Sequence, residues 1–396
     1  MVRKRNKNAS FVAIGVGQGD AFFLEKAGRN VVVDGGLSAF GFPELFKQST
    51  KRSNIDILVC THNDADHANG IIGFLKSGLD CKEVWLPASW SDRLEDLLTK
   101  PNQFIEELIS DINKLDIKSE HPMMLQDIEN KYAENLFKSE ERSKEISSIE
   151  FITNIMDKHI ESEQGDNDYW INGYSQFYPR RVLLPSHMLF LLSDEKKHLL
   201  FLEAISAASR IRDIATEAYH RGALIRWFDF NTTIREGGYS EFLVPLNSSE
   251  AIEMRFGKLS AICYLALTKS NKQSLVFISP DNEYGPSVLF SADSDLSFST
   301  PISWTNGMII TAPHHGSDSN AKAYDRITNE MVSDSEIFWV RSDGCFRSRP
   351  GKSYINVNGR RFCTICRDRK HPKQNIKFIA RSKQWRPHLA RKCSCI

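Results

Sequence analysis

The chain has 396 residues, of which 41% are apolar, and its formal net charge is +1. This length allows two or three domains, or one core domain with insertions. No apolar run reaches the roughly 18 residues of a membrane span, and no signal-peptide core follows the basic N-terminus. Eight cysteines in a chain this long do not indicate a disulfide scaffold. We therefore expect a cytoplasmic protein without a membrane segment.

The predicted elements alternate between sheet and helix along the chain. Apolar runs predict a β-rich first part, with strands near 10–15, 20–25, 30–34, 55–60 and 83–87. Helical spacing with charged outer faces then predicts helices at 93–112, 126–137, 140–159 and 195–220. Further apolar runs predict strands of a second sheet at 223–228, 261–267, 274–279, 288–290 and 337–340.

Four metal-ligating residues follow the predicted strand 55–60 in close succession: His62, Asp64, Asp66 and His67. Because residues 68–75 are predicted to be helical, the four lie on a strand-to-helix loop, where a rigid scaffold can direct several side chains at one point. Imidazole suits zinc, manganese or iron, and carboxylates add oxygen donors. So dense a cluster predicts a metal site rather than an ordinary solvated loop.

Two distant strands end in residues of the same kind. Strand 288–290 leads to Asp293, and the apolar run 308–312 leads to the pair His314 and His315. A single loop cannot surround two ions, whereas three strands that each deliver ligands at their C-terminal ends can. The three motifs in this order therefore predict a two-metal site in an α/β sandwich.

Together with residues 16–21 (VGQGDA) and 31–36 (VVVDGG), these motifs resemble the metallo-β-lactamase fold. More narrowly, they resemble its ComEC-type branch, named for a DNA-uptake competence protein. That branch carries aspartate where most of the superfamily carries a second histidine, as Asp64 does here, and residues 271–277 resemble its NxxSLVL strand. The resemblance covers roughly residues 10–90 and 220–350 and implies an αββα sandwich. It does not fix the substrate, because one fold hosts many functions.

The resemblance also implies a di-metal hydrolase with two zinc or manganese ions about 3.5–4 Å apart that share a hydroxide. Its catalytic residues would be Asp66, His62, Asp64 and His67. The metal ligands would be His62 and Asp64 on the first ion, Asp66 and His67 on the second, Asp293 as a bridge, and His315 or its neighbour His314 on the far side.

Two further carboxylates, Asp20 and Asp34, would either orient the metal loop from behind the ligands or cap turns. The superfamily usually has one more histidine between the first motif and the bridging aspartate. That ligand is not assigned here, because the only candidate near a strand, His220, lacks a motif.

A second metal site is predicted near the C-terminus. Cys363 and Cys366 form a CxxC pair, and Cys393 and Cys395 form a CxC pair. Two cysteine pairs at this spacing predict a tetrahedral structural zinc in a zinc-ribbon-like extension. The alternatives are free surface cysteines, or replacement ligands from Cys345, His371 and His388.

Charge is unevenly distributed along the chain. Residues 341–396 hold sixteen Lys/Arg and two Asp/Glu, and residues 119–165 hold eleven Asp/Glu and five Lys/Arg. This asymmetry indicates an anionic partner for the basic end, unless the two segments neutralise each other within the fold or across a subunit interface. Cations and aromatics interleave there, and the predicted nucleic-acid-binding residues are Lys377, Arg381, Lys383, Trp385 and Arg386.

These observations predict four segments: the first half of the metallo-β-lactamase fold at 8–90, a helical insertion at 91–220, the second half at 221–345 and a basic zinc-binding extension with the four cysteines at 346–396. The insertion would cap the cleft, or form a homodimer or protein-partner contact. The predicted function is metal-dependent phosphodiester hydrolysis, by a nuclease acting on DNA or RNA. The alternatives are hydrolysis of a cyclic nucleotide or other small ester, or a partner-dependent subunit of a bacterial defence-type system.

Overall fold

The computed structural model describes residues 9–116, 123–136, 142–163, 195–256, 259–331, 336–342, 348–366 and 373–395. Cys345, His371 and parts of the predicted helices 126–137 and 140–159 lie outside these ranges. The chain forms two compact units. The first comprises residues 1–87, 228–250 and 271–396, and the second comprises residues 88–227 and 251–270.

The strands of the described residues are numbered in chain order. They are β1 (Ser10–Ala13), β2 (Phe22–Lys26), β3 (Arg29–Val33), β4 (Asn54–Val59), β5 (Asp80–Pro87), β6 (Arg142–Ser147), β7 (Leu224–Phe230), β8 (Val244–Pro245), β9 (Ser248–Glu250), β10 (Glu253–Phe256), β11 (Phe277–Ser279), β12 (Val288–Phe290), β13 (Ile309–Thr311), β14 (Phe338–Arg341), β15 (Arg360–Cys363), β16 (Ile376–Arg381) and β17 (Gln384–Leu389).

The helices are numbered in the same way. They are α1 (Phe42–Thr50), α2 (Ala65–Lys76), α3 (Leu94–Thr99), α4 (Pro101–Lys114), α5 (Leu125–Leu136), α6 (Ser148–Glu163), α7 (Glu195–His220), α8 (Ala261–Thr268), α9 (Ala321–Glu330) and α10 (Lys352–Ile355). Three short 3₁₀ helices span Ala88–Arg93, Pro313–Gly316 and Asp318–Asn320. No helix in the described part of the chain is long and apolar enough to cross a membrane.

The first unit contains two large sheets. The nine-stranded sheet has the order β17-β16-β1-β2-β3-β4-β5-β7-β9, and the six-stranded sheet has the order β15-β14-β13-β12-β11-β8. In the first, β3, β4 and β5 are parallel. In the second, β12 to β15 are parallel. Parallel strands place their carboxyl ends at one edge of the sheet, which is where ligand-binding loops collect.

The main core cluster combines buried residues of both sheets. Phe11, Phe22 and Val33 come from the nine-stranded sheet, and Phe277 and Phe290 come from the six-stranded sheet. The rings of Phe11 and Phe22 both lie about 6.2 Å from that of Phe290, centroid to centroid. Apolar faces of two sheets thus bury each other, which is the layering of a sandwich.

Helices cover the outer faces of this sandwich. On the nine-stranded side, Phe46 of α1 contacts Phe23 of β2 and Phe74 of α2. On the six-stranded side, Tyr324 of α9 packs on Trp339 of β14. The order helix, sheet, sheet, helix is consistent with the predicted αββα sandwich.

The second unit holds six of the ten α-helices of the described residues, and two sequence predictions are wrong there. Residues 261–267, predicted as a strand, form helix α8. The run is apolar at nearly every position, so its periodicity could not distinguish a buried strand from a buried helix. Residues 142–147, predicted as part of a helix, form strand β6, which pairs antiparallel with β10. A pairing partner about a hundred residues away overrides the local helical pattern here.

Candidate metal centre

The loop after β4 is held to the end of β3 by one buried carboxylate. Val33 lies opposite Val59 in the parallel pair, so the residues after both strands leave the sheet side by side. Asp34 accepts hydrogen bonds from the backbone nitrogen of Thr61 at 2.9 Å and from its hydroxyl at 2.8 Å. These bonds fix the start of the loop before α2 begins at Ala65.

Two glycines let neighbouring backbone reach this loop. A Cβ on Gly19, where φ is +92°, would lie 1.8 Å from the carbonyl oxygen of Asp66. A Cβ on Gly70 of α2 would lie 1.9 Å from the carbonyl oxygen of Gly35. Only glycine permits such approaches. The glycine-rich segments of the sequence therefore serve close packing against the metal loop.

Two buried imidazoles face each other at the centre of the site. His67 donates from Nδ1 to Asp34 Oδ2 at 2.8 Å. His315 donates from Nδ1 towards Asp20 Oδ1 at 3.0 Å and the carbonyl oxygen of Ser342 at 3.1 Å. When each ring carries its only proton on Nδ1, both Nε2 lone pairs point inward, and these two nitrogens are 3.2 Å apart.

Asp293 lies beside both of these imidazoles and also faces a second group of possible ligands, His62 and Asp64. Its Oδ1 lies 3.3 Å from His67 Nε2 and 3.5 Å from His315 Nε2. Its Oδ2 lies 3.9 Å from His62 Nε2, which is itself 3.8 Å from Asp64 Oδ2. Thus the two oxygens of one carboxylate serve two neighbouring groups of donors, as a bridging ligand between two ions would.

The ring of His62 is oriented by the residue before it. The Thr61 hydroxyl gives its proton to Asp34, so at 3.0 Å it accepts from His62 Nδ1. The Nε2 of His62 is buried and has no hydrogen-bond partner among the described residues. Its lone pair therefore points at the space between Asp64 and Asp293.

The remaining predicted ligands differ in how they are placed. Asp66 is half-buried, and its Oδ2 is 3.6 Å from His315 Nε2. His314 Nε2 is 3.5 Å from Asp293 Oδ2, but it also accepts a hydrogen bond from Arg349 at 3.0 Å. The lone pair of His314 is therefore already engaged. His220 is exposed at the end of α7 and is not among the candidate ligand groups of the described residues.

Burial and charge act against each other on the titrating groups. Burial would raise the pKa of Asp293, but His315, His67 and His314 outweigh it and hold that pKa well below its usual range. Burial would lower the pKa of His67, but Asp293 and Asp34 raise it well above the usual value. Burial raises the pKa of Asp20, against the opposing effect of His315. The centre thus attracts positive charge, which a divalent cation would supply in place of protons.

The donor set fits metal ions. One group of potential ligands comprises Asp20, His67, Asp293 and His315, and another comprises His62, Asp64 and Asp293, with the ligand atoms of each group within 4.8 Å of one another. Inward lone pairs beside a buried carboxylate are unfavourable unless a cation lies between them. Imidazoles whose far nitrogen donates to a carboxylate are the usual ligands of zinc and related metals.

Comparison with known families agrees with this geometry. Residues 14–81 match the model of the metallo-beta-lactamase superfamily. This superfamily consists generally of metal-dependent hydrolases. The metallo-beta-lactamase match contains the loop ligands from His62 to His67, whereas Asp293 and His315 lie beyond it and are joined to it by the fold. No curated protein matches the chain.

The four predicted zinc ligands also come together. The Sγ atoms of Cys363, Cys366, Cys393 and Cys395 lie within 4.8 Å of one another. Three of the four are buried, and Cys393 is partly buried. Four soft donors around one point suit a tetrahedral zinc ion. The alternative ligand His388 is exposed on β17 and is not part of this group.

The residues predicted to bind nucleic acid lie on the hairpin β16–β17. Lys377 is half-buried, whereas Arg381, Lys383 and Arg386 are exposed. Trp385 is buried in the core between the sheets and donates from Nε1 to the carbonyl oxygen of Ser287 at 3.0 Å. Its ring is therefore not exposed for base stacking.

The register shows which end of the hairpin is near the metal loops. Ala13 pairs with Ile376, and Ser10 pairs with Ile379. Through β2, Ala13 is at the same edge as Val33, which precedes Asp34. The turn after Arg381 is at the opposite edge, ~17 Å from Ile376 along the strand.

Several residues that support the centre were not predicted from the sequence. Ser342 acts through a backbone carbonyl, which leaves no sequence signal. Arg349 comes from a loop and Asn320 from a short 3₁₀ helix, and neither belongs to a motif; the side chain of Asn320 donates to the carbonyl oxygen of Asp293. Thr61 adjoins the motif, and only its hydrogen bonds reveal its role.

Proposed function

We propose that the protein is a two-metal phosphodiesterase that cleaves nucleic acid. The observation that carries the proposal is the placement of Asp293, whose two carboxylate oxygens face separate groups of imidazole and carboxylate donors. Two divalent ions, zinc or manganese, would activate water and offset the charge of a phosphoryl group under attack. His67, His315 and Asp66 would hold one ion, and His62 and Asp64 would hold the other.

The chain's own residues have distinct tasks in this proposal. Asp34 and Asp20 hold His67 and His315 in the tautomer that presents Nε2. Asp66 is half-buried beside His315 and is the carboxylate that we assign as proton acceptor from the attacking water. Holding these groups in place before substrate arrives lowers the entropic cost of the reaction.

A polyanionic substrate is supported by the basic C-terminal strands. At the edge near the metal loops, Lys373, Arg391 and Lys392 are exposed and Lys377 is half-buried. A phosphate backbone bound there would bring a phosphodiester towards the metal ligands. Contacts of this kind depend steeply on salt, because each neutralised phosphate releases counterions.

The far end of the hairpin favours a second candidate, hydrolysis of a small phosphodiester such as a cyclic nucleotide. Arg381 and Lys383 lie at the edge away from the metal loops. A small substrate would not reach them, and these cations would then have no part in catalysis.

The first test is hydrolysis of labelled single- and double-stranded DNA and RNA and of cyclic nucleotides, with Mn²⁺, Zn²⁺ or Mg²⁺ added. We compare the wild type with Asp66→Ala and with Asp80→Ala, an exposed aspartate at the start of β5. Metal-dependent cleavage of a polymer that only Asp66→Ala loses is the expected result. No cleavage of any polymer would overturn the nuclease proposal, and turnover of cyclic nucleotides alone would favour the second candidate.

A charge test then addresses polymer binding. Lys373→Glu with Lys392→Glu changes the near edge, and Arg381→Glu with Lys383→Glu changes the far edge by the same total charge. We expect the near-edge pair to weaken binding of short oligonucleotides and to reduce its salt dependence by about 0.7–0.9 in log–log slope per lost phosphate contact. The far-edge pair should affect only longer polymers. Unchanged binding by both pairs would remove the basic strands from the proposal.

A further inference from the structure

The cysteine cluster is connected to the candidate metal centre by buried side chains. Arg341, at the end of β14, is 1% exposed. Its Nε donates to Cys363 Sγ at 3.3 Å, and one of its terminal nitrogens donates to the carbonyl oxygen of Ile365 at 2.6 Å. A buried guanidinium is stable only beside compensating acceptors or negative charge. Four thiolates around a zinc ion carry a net charge of −2, which this cation partly offsets.

The cluster has further features of a metal site. The backbone nitrogen of Cys395 donates to Cys393 Sγ at 3.3 Å, and the backbone nitrogen of Cys393 donates to the carbonyl oxygen of Arg361 at 2.7 Å. Thiolates accept hydrogen bonds better than neutral thiols, so the donors on Cys393 Sγ (from Cys395) and on Cys363 Sγ (from Arg341) support the charged form. Because the sulfurs come from segments on both sides of residues 367–392, one ion would join them.

The same side chains touch the loop that carries His315. A Cβ on Gly316 would be 3.0 Å from Arg341 Cδ and 3.3 Å from Tyr354 Cγ, so this glycine packs directly on both. The hydroxyl of Tyr354 is 3.7 Å from Cys363 Sγ. Arg341 and Tyr354 therefore each span from the cysteine cluster to the residue that follows His315.

The backbone provides a third connection. Ser342 directly follows Arg341, and its carbonyl oxygen accepts from His315 Nδ1 at 3.1 Å. Its hydroxyl donates to the carbonyl oxygen of Gly19 at 3.0 Å, and Gly19 packs against Asp66. A displacement of Arg341 would thus move an acceptor of His315 and the neighbour of Asp66 together.

We propose that the four cysteines bind one zinc ion, and that this ion positions His315 for metal binding through Arg341, Tyr354 and Ser342. These three are positioning residues. This inference goes beyond the proposed hydrolysis, since it concerns metal affinity and holds for any substrate of the candidate centre.

Cobalt substitution tests the cysteine site directly. A cobalt tetrathiolate has intense charge-transfer and visible absorption, which histidine and carboxylate ligands do not produce. We expect one such site per chain in the wild type and in Cys263→Ser, a control cysteine that is partly buried like Cys393. Cys393→Ser should lose or shift the band. Absence of the band from the wild type, or its persistence unchanged in Cys393→Ser, would overturn the assignment.

Manganese binding tests the coupling, because Mn²⁺ prefers imidazole and carboxylate over thiolate. We expect Cys393→Ser to lower the Mn²⁺ affinity of the other centre by about tenfold or more, as loss of a supporting contact does at other metal sites. Arg341→Lys is the second variant, for the case in which Cys393→Ser fails to fold. It should keep the cobalt thiolate band and still weaken Mn²⁺ binding.

Thermal unfolding and circular dichroism establish that each variant is folded before titration. Wild-type Mn²⁺ affinity in a folded Cys393→Ser or in Arg341→Lys would show that the cysteine site does not position His315. The readout is metal binding, so it is independent of whether the protein cleaves nucleic acid.

Discussion

The strongest test of the metal centre is the substitution Asp34→Asn, because it changes no ligand. Asp34 is 1% exposed and accepts from the Thr61 backbone, the Thr61 hydroxyl and His67 Nδ1, at 2.8 to 2.9 Å. The amide of asparagine directs one NH₂ group at these donors, so at least one of them loses its acceptor. Each such loss costs about 1–3 kcal/mol of folding stability.

The larger expected effect of Asp34→Asn is on metal affinity. Without a carboxylate at Nδ1, the His67 ring is free to rotate or to carry its proton on Nε2, where it would block the metal. Loss of such a supporting contact weakens metal binding by about 10–100-fold, which is ~1.4–2.7 kcal/mol. Mn²⁺ titration by calorimetry or electron paramagnetic resonance measures this change.

The matched control is Asp56→Asn on β4. Asp56 accepts from the backbone nitrogen of Asn30 at 2.9 Å and from Lys82 at 2.7 Å, in the same sheet but away from the ligands. We expect it to cost stability without changing metal affinity. Equal Mn²⁺ affinity in wild type and Asp34→Asn would refute the reasoning that Asp34 fixes the His67 tautomer.

Two more predictions concern metal binding and the free energy of unfolding. Gly19→Ala should greatly weaken metal binding, because its Cβ would overlap the Asp66 carbonyl. The control Gly28→Ala, at φ +75° with open space around it, should cost only ~1–2 kcal/mol of unfolding free energy and leave metal binding intact. Equal effects of the two substitutions on metal binding would contradict this account of Gly19. Burial lowers the pKa of Lys26 to about 8, against the opposing effect of Asp281. Its unfolded pKa is higher, so the unfolded state binds more protons between pH 8 and 10.5, and stability should rise with pH across that window by up to ~3 kcal/mol. Chemical denaturation at several pH values should show this rise in the wild type and a flatter profile in Lys26→Met; identical profiles would argue against a depressed Lys26 pKa.

The convergence of the loop residues His62 to His67 could be predicted from the sequence because its information is local, whereas metal binding by them stays a prediction. The residues from His62 to His67 are contiguous, and the apolar strand before them places them at a sheet edge. Asp293 and His315 could be added because each also follows an apolar strand. What could not be predicted is which oxygen or nitrogen faces which neighbour, since this depends on tautomers that Asp34, Asp20 and Ser342 impose from distant segments.

The errors have a common physical origin. Residues 261–267 and 142–147 took the secondary structure that their tertiary neighbours require rather than the one that their local pattern favours. The sequence pattern places Trp385 with exposed cations because it lies between them along the chain. Successive side chains of a β-strand point to opposite faces of the sheet, so the Trp385 side chain points to the face opposite that of the neighbouring cations. It points into the core, where its backbone partner is Ala380.

The pairing of β1 with β16 has a consequence for the order in which the sheet and the metal centre assemble during synthesis. Strand β1, the first strand of the nine-stranded sheet along the chain, cannot pair with β16 until about 360 more residues have been synthesised. The hydrogen bond between Gly15 and Asn375 spans the same distance in sequence. Contacts of such long sequence separation form late in folding. A nascent chain on the ribosome would expose the edge of β1, and it would lack both Asp293 and the carbonyl that orients His315 until translation is well advanced. Synthesis itself would therefore delay the assembly of the metal centre until most of the chain has been translated.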